Sequence, residues 1–162
     1  MAVAVSVSIS RPLALRLAPD AALAWLADVP AWAALFPHVA RIERLAEPGA
    51  EPGDLGAFVW TMDALGPPGA AVATVYGCRY TADAAARTLA WTPVDGVGDA
   101  RFAGSVALSD GPAGGSAGTL TLDAALTIPA PAFARALVVP AVRAEFSRMV
   151  GTFAARLAAL EP

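Results

Sequence analysis

The sequence has no lysine, one cysteine and one histidine among its 162 residues. Without lysine, the chain has no residue for Schiff-base chemistry or for the phosphate-binding lysine of a P-loop. The single cysteine, Cys78, has no partner for an internal disulfide, and a single histidine, His38, makes no histidine-based zinc site. These absences exclude several common kinds of catalytic and metal site, so we expect neither a metal nor a cofactor.

Charges are also sparse, and the positive ones form no cluster. Charged residues make up 15% of the chain, the 11 basic residues are all arginine, and the formal net charge is −3. A nucleic-acid-binding surface needs concentrated positive charge to neutralise phosphates. We therefore expect no nucleic-acid partner.

No apolar run reaches the length of a membrane-spanning helix. Charged residues such as Asp28 and Arg135 interrupt the apolar stretches before about 18 residues, whereas a span needs about 20. The first ten residues, MAVAVSVSIS, alternate like a strand and lack the basic start of a signal peptide. These patterns predict no membrane span and a cytoplasmic location.

The first segment alternates between apolar and polar residues from Val3 to Leu17. A period of two over this length predicts a strand with one buried face. Arg11 falls on the buried parity and Pro12 follows it. Because proline cannot donate to a sheet ladder, we expect a bulge or an edge position there.

The hydrophobic period then changes to that of helices. Pro19 and Asp20 are typical of a helix start, Pro30 ends that helix, and a second short helix carries Trp32 and Phe36. Strand patterns follow, separated by turn-rich pieces such as LGPPGA, VDGVGD and SDGPAGGSAG. The predicted strands lie at about 38–47, 54–65, 70–82, 86–93, 99–109 and 117–128.

The last segment, from about Ala130 to Leu160, predicts a helix with one apolar face, which Pro140 kinks or divides. Six consecutive strands with short connections indicate an antiparallel meander. No stretch is long and polar enough to be a linker between domains. We therefore expect one α+β domain over residues 1–162.

This order of elements resembles the helix-grip fold of the START-like (SRPBCC) superfamily, which includes the Bet v 1 proteins. The likeness covers essentially the whole chain and is closest to bacterial polyketide cyclase/dehydrase-like and carbon-monoxide-dehydrogenase-subunit-G-like members. It depends on the amphipathic last helix and on the stretches LAPDAALAWLADVPAWAALFPHVARIERL, FVWTMDALG and LAWTPVDGVGDARFAGSVAL. The resemblance implies a seven-stranded curved antiparallel sheet around the C-terminal helix, with an apolar cavity between them.

On this architecture, the alternation of each strand assigns the residues that face inward. The aromatic, methionine and hydroxyl-bearing members of this set are typical of ligand pockets, although they could equally fill a core. Arg11 would join the set if it reaches the pocket, whereas Asp63 has the outward parity. The candidate ligand-binding residues are Arg11, Phe58, Trp60, Met62, Tyr76, Cys78, Tyr80, Trp91, Phe102, Phe146, Met149 and Phe153.

Three functions are compatible with these residues. The first is binding or transport of a hydrophobic small molecule or lipid, for which no catalytic residue is assigned. The second is a cyclase- or dehydratase-like enzyme, in which Tyr76, Tyr80 and His38 would position and protonate a substrate. The third is an interaction or assembly module that uses the apolar stretch ALVVPAV at residues 136–142, which could also be a homodimer seam or a lid over the cavity.

Overall fold

Seven antiparallel strands form one curved sheet that packs against a long C-terminal helix, in a computed structural model that describes residues 1–65 and 71–162. The strands lie in the order β1-β7-β6-β5-β4-β3-β2 across the sheet. Their bounds are β1 Val3–Leu15, β2 Val39–Ala46, β3 Asp54–Met62, β4 Val75–Asp83, β5 Thr88–Gly98, β6 Ala100–Asp110 and β7 Ser116–Ile128. The predicted α+β helix-grip arrangement is confirmed.

Two helical segments connect β1 to β2, as the sequence predicts. Helix α1 spans Pro19–Ala27, with proline at its first position and Asp20 in its first turn. Such residues suit the free N–H groups and the positive end of a helix. The second segment, Val29–Ala34, is a 3₁₀-helix rather than an α-helix.

The C-terminal helix, α2, spans Arg135–Ala158 after a 3₁₀ turn at Ala132–Ala134. It runs continuously through Pro140. The sequence predicts a kink or a division at this residue, and the division does not occur. Because Pro140 is the sixth residue of α2, it lacks the N–H that would otherwise donate to the Ala136 carbonyl. The apolar face of α2 buries Met149, Val150, Phe153 and Leu157. None of the helices in the described ranges has the length and apolarity needed to cross a membrane.

Some strand limits differ from the sequence prediction. Strand β4 begins at Val75 rather than at residue 70, and the predicted turn LGPPGA falls mainly on residues 66–70, outside the described residues. Strand β5 continues to Gly98, through most of the predicted turn VDGVGD. This extension is possible because Gly98 adopts a positive φ of 68° and lies against the backbone of Val75, where a Cβ would collide.

Strand β1 is an edge strand and pairs with β7 from Val3 to Leu15 without a register shift. The edge position predicted at Pro12 is therefore confirmed, and no bulge forms there. Arginines of α2 bond to backbone oxygens of this strand: Arg135 donates to the Ala4 carbonyl and Arg143 to the Ser6 carbonyl, each at 3.2 Å. These contacts cover part of an edge that would otherwise be open to pairing with another chain.

Candidate functional site

An apolar cavity of about 300 Å³ lies between the inner face of the sheet and α2. Its sheet side is formed mainly by aromatic and aliphatic residues of β3 to β7, and its helix side by residues of α2. The segment between β1 and β2 contributes Trp32 and Phe36, which lie in and just after the 3₁₀ segment. This volume is at the lower end of the range of roughly 300–1,000 Å³ that is typical of small-molecule sites.

We call the exposed and half-buried lining residues from the end of β3, the bridge between Leu65 and Val72, and the first turns of α2 the mouth. Its residues are Asp63, Leu65, Val72, Val138, Ala141, Val142 and Glu145.

Trp32 is the centre of the aromatic cluster that surrounds the cavity. Its indole N–H donates to the Leu26 carbonyl at 2.9 Å, which fixes the ring. The ring stacks on Phe153 at 5.2 Å between centroids. It also makes edge contacts with Trp60, Tyr80 and Trp91 at 5.9, 5.8 and 5.5 Å. Such edge and stacked pairs are favourable and hold the lining in place.

Most of the inward-facing residues assigned from the sequence come together around this cavity. The strand members Trp60, Tyr76, Tyr80 and Trp91 form two stacked pairs, Trp60 with Tyr76 and Tyr80 with Trp91. Phe102 lies 4.0 Å from Tyr76 and 5.5 Å from Phe146 of α2, measured between ring centroids. The predicted residues that line the cavity are Trp60, Met62, Tyr76, Tyr80, Trp91, Phe102, Phe146 and Met149.

Four other predicted residues do not line it. Cys78 is fully buried and its thiol donates to the Phe102 carbonyl at 3.3 Å, so it is part of the sheet packing. Phe58 packs its ring against the edge of Tyr80, and Phe153 packs against Trp32. Arg11 extends to α2 instead, where its guanidinium donates to the carbonyl and hydroxyl oxygens of Ser147 at 3.0 and 2.7 Å.

Several lining residues were not among the sequence candidates. Trp32 and Phe36 lie in a 3₁₀ segment and the turn after it, where no period of two or 3.6 indicates which way a side chain points. Asp63 has the outward parity of β3 and is exposed as predicted, but it also borders the mouth. Because β3 ends at Met62, the alternation no longer applies at the next residue.

The polar side chains along the cavity wall include those of the lining tyrosines and tryptophans and of Thr74. In residues 1–65 and 71–162, the buried indole N–H of Trp60 has no hydrogen-bond partner. Burial raises the pKa of both tyrosines well above the usual range, and the nearby Cys78 adds to the rise. Both hydroxyls therefore stay protonated and neutral, and can donate hydrogen bonds.

The mouth carries the ionisable groups. Glu145 accepts hydrogen bonds from Arg148, which also contacts the His38 ring at 3.2 Å. The bond from Arg148 lowers the pKa of Glu145 and, reciprocally, raises the pKa of Arg148. Glu145 and Arg148 lie three residues apart on α2, a spacing that brings two side chains to the same face of a helix. His38 adopts a positive φ of 61° before β2 and lies outside the cavity lining.

The apolar stretch at the start of α2 is divided between the cavity and solvent. Val138 and Val142 line the mouth, whereas Leu137 is 79% exposed. Phe133, one turn earlier, is 87% exposed. Within the described ranges, no three His, Cys, Asp or Glu side chains are placed together as metal ligands.

Comparison with known proteins agrees with this geometry. The family described as polyketide cyclase / dehydrase and lipid transport matches residues 4–159. A comparison with curated protein sequences gave no match.

Solved structures share the fold at low sequence identity. Zhui aromatase/cyclase from Streptomyces sp. R1128 is 19% identical, with a TM-score of 0.64 over 94% of this chain and 89% of that chain. A START superfamily protein from Mycobacterium smegmatis is 12% identical, with a TM-score of 0.66 over 93% of each chain. Ara h 8.0201 is 15% identical, with a TM-score of 0.55 over 94% of this chain and 97% of that chain.

Because their sequence identities are below 25%, the solved structures show only that the fold is shared. The family match, by contrast, rests on the sequence and extends over residues 4–159. The chain belongs to the polyketide cyclase/dehydrase and lipid-transport family, within the START-like (SRPBCC) superfamily.

Proposed function

We propose that the protein binds a small hydrophobic molecule in the cavity between the sheet and α2. The observation that carries this proposal is the cavity of about 300 Å³, whose lining is apolar apart from a few hydroxyl and indole groups. Such a composition is typical of sites in which apolar surface provides affinity and a few polar groups orient the ligand. The family description, which includes lipid transport, supports the same function.

The cavity is suited to a ligand because its aromatic residues are held in place by one another rather than collapsed onto the space. Trp32 is fixed by its hydrogen bond to Leu26, and Phe153 supports it from α2. A preformed site of this kind needs little reorganisation when a ligand enters, so less of the binding energy is lost to ordering side chains.

The ionisable groups favour binding over acid–base chemistry. Burial raises the pKa of Tyr76 and Tyr80, which makes each hydroxyl a weaker acid and keeps it from serving as a base at neutral pH. The carboxylate of Glu145 lies at the mouth and is already bonded to Arg148. His38, which an enzymatic role would use together with the tyrosines, contacts Arg148 instead of lining the cavity.

The test is a fluorescence titration with N-phenyl-1-naphthylamine, a neutral apolar dye that emits when it leaves water. We expect saturable binding of one dye per chain. Ala141→Trp places an indole at the exposed mouth and should weaken binding at least about tenfold, because the added ring takes space that the dye needs there.

The matched control is Ala144→Trp, which introduces the same residue one turn along α2 at an exposed position outside the lining. It should leave the affinity unchanged. Absence of saturable binding to the wild-type chain, or equal effects of the two substitutions, would contradict the proposal.

A further inference from the structure

A groove on the protein surface lies between the free edge of β1 and α2, apart from the cavity. It has a volume of about 740 Å³ and is formed by residues 6–12 of β1 together with Arg143 and Ser147 of α2. Its lining and that of the cavity have no residue in common. The groove is therefore a second candidate site with its own set of side chains.

Two arginines enter this groove from its opposite sides. Arg11 of β1 is half-buried, and its Nη2 donates to the carbonyl and hydroxyl oxygens of Ser147 at 3.0 and 2.7 Å. Arg143 of α2 donates through Nε to the Ser6 carbonyl at 3.2 Å. Since Arg143 and Ser147 are four residues apart, they share one face of the helix. The contact of Arg11 with Ser147 therefore brings the two guanidinium groups into the same groove.

No carboxylate neutralises this positive charge. In the part of the chain that the structure describes, other arginines pair with Asp or Glu, but Arg11 and Arg143 do not. The lining of the groove contains neither Asp nor Glu, and the carboxylate of Asp123, which accepts a hydrogen bond from Ser8, is not part of it. Two like charges in one groove repel each other, and an anion between them removes that repulsion.

Both guanidinium groups have N–H donors left for a ligand. Each guanidinium has five such donors, of which Arg11 uses those on Nη2 and Arg143 uses the one on Nε. The edge of β1 adds backbone donors. A residue outside the hydrogen-bonded pairs of an antiparallel ladder turns its N–H and its C=O to the same free side. The Ser6 carbonyl faces Arg143, and the register with β7 is unbroken, so Ser8 and Ser10 turn their N–H groups the same way.

We propose that this groove binds a phosphate monoester, which Arg11 and Arg143 hold between them. Such an ester has a charge of about −1.5 to −2 at pH 7, which matches two guanidinium groups. Its three free oxygens can accept from both arginines and from the strand edge at once, in the forked geometry that arginine favours with phosphate. Ile9 and Pro12 give the groove an apolar part that suits the organic portion of the ester. The inference goes beyond the ligand-binding function of the cavity and does not depend on it.

Calorimetry at low salt with glycerol 3-phosphate and with acetate tests the proposal. We expect saturable binding of one glycerol 3-phosphate per chain. Acetate has one charge and two oxygens, so it can fill the fork of one arginine only and should bind at least about tenfold more weakly. Arg143→Gln removes one guanidinium and should weaken binding of glycerol 3-phosphate about ten- to a hundredfold, the usual effect of losing hydrogen bonds to a charged group.

The matched control is Arg156→Gln, which removes the same charge from the same helix. Arg156 is exposed and donates to a backbone carbonyl, that of Leu35, at 3.2 Å, as Arg143 does to Ser6, but it lies outside the groove. Its substitution should leave the affinity for glycerol 3-phosphate unchanged. A thermal melt checks that both variants are folded, and the dye titration of the cavity should give the wild-type result for both.

The Nε–H signals of the arginines in a ¹H–¹⁵N NMR spectrum locate the bound ester. Saturation with glycerol 3-phosphate should shift the signals of Arg11 and Arg143 and leave that of Arg156 in place. Saturable binding that shifts neither groove arginine would overturn the assignment of the site.

Vesicles of phosphatidylcholine, with and without phosphatidic acid, distinguish the source of the phosphate. Binding of glycerol 3-phosphate in solution supports a soluble ester. Binding only to vesicles that contain phosphatidic acid, lost in Arg143→Gln and kept in Arg156→Gln, supports a lipid headgroup. The proposal is overturned if neither form of phosphate binds, if acetate binds as tightly as glycerol 3-phosphate, or if the two substitutions have equal effects. None of these results changes the conclusion about the cavity, which the dye titration tests separately.

Discussion

Substitution of Gly104 by alanine should destabilise the protein, because two rigid neighbours already occupy the space for a Cβ. Gly104 lies on β6, opposite Trp91 of β5 and Leu122 of β7. A Cβ built at this position would lie 2.3 Å from the Trp91 ring and 2.4 Å from the backbone oxygen of Thr121. Ordinary van der Waals contacts begin at about 3.4 Å, so something has to move by about an ångström.

Neither neighbour can move easily. The backbone of Thr121 belongs to β7, which is paired on both sides, and Trp91 is held between Tyr80 at 6.0 Å and Trp32 at 5.5 Å. Overpacking of this kind typically costs about 1–3 kcal/mol. For a chain of this length, each kcal/mol corresponds to about 2–4 °C in Tm.

Gly151→Ala is the matched control, and the expected change in stability has the opposite sign. Gly151 lies inside α2, and its Cβ would lie 3.6 Å from the Arg11 guanidinium, an ordinary contact. Alanine is favoured over glycine in a helix by about 1 kcal/mol, so this variant should gain roughly 0.5–1 kcal/mol. Urea unfolding, followed by tryptophan fluorescence, measures both changes. A Gly104→Ala variant as stable as the wild type would refute the packing argument.

Two further predictions concern single ionisable groups. Burial raises the pKa of the Cys78 thiol to about 12. A thiol reagent at pH 8 should therefore label the native chain very slowly, and it should modify one thiol per chain when urea unfolds the protein. Rapid labelling of the native chain would contradict the observed burial of Cys78. Hydrogen bonds from the backbone N–H groups of Gly56 and Gly49, together with Arg79, lower the pKa of Asp54 from its usual 3.8. The resulting stabilisation is present above the usual pKa and is lost as the pH falls through the lower, folded-state value. Asp54→Asn should therefore lower Tm at pH 7, and the difference in Tm between the wild type and the variant should shrink in acid. A difference in Tm that does not depend on pH would show that the ionised carboxylate is not the cause.

The sequence was sufficient to predict the fold because long alternating strands and an amphipathic helix carry strong periodic signals. Alternation also assigned Trp60 and Tyr80 to the inner face correctly, as their burial shows. Alternation does not show which residues of the inner face border the cavity and which pack beside it. Cys78 and Phe58 share that face, yet their contacts with Phe102 and Tyr80 place them in the packing beside the cavity.

Other features depend on tertiary contacts that no local pattern encodes. Trp32 lies in a 3₁₀ segment, and only the fold brings it against residues of β3, β4, β5 and α2. Arg11 shares the parity of the buried face of β1, but its side chain is long enough to reach Ser147 on α2. A strand pattern gives the direction of a side chain at its base and leaves open where a long, flexible side chain ends.

A ligand bound between the sheet and α2 can be located by NMR, with the three methionines of the chain as probes. Met62 and Met149 line the cavity, whereas Met1 is exposed and lies outside the lining. The chain is labelled with ¹³C at the methionine methyl groups, its signals are assigned with Met62→Leu and Met149→Leu, and it is titrated with N-phenyl-1-naphthylamine. An aromatic ligand in the cavity should shift the signals of Met62 and Met149 in a saturable way and leave that of Met1 unchanged. Saturation without a shift of either cavity methionine, or no saturable change at all, would contradict the account.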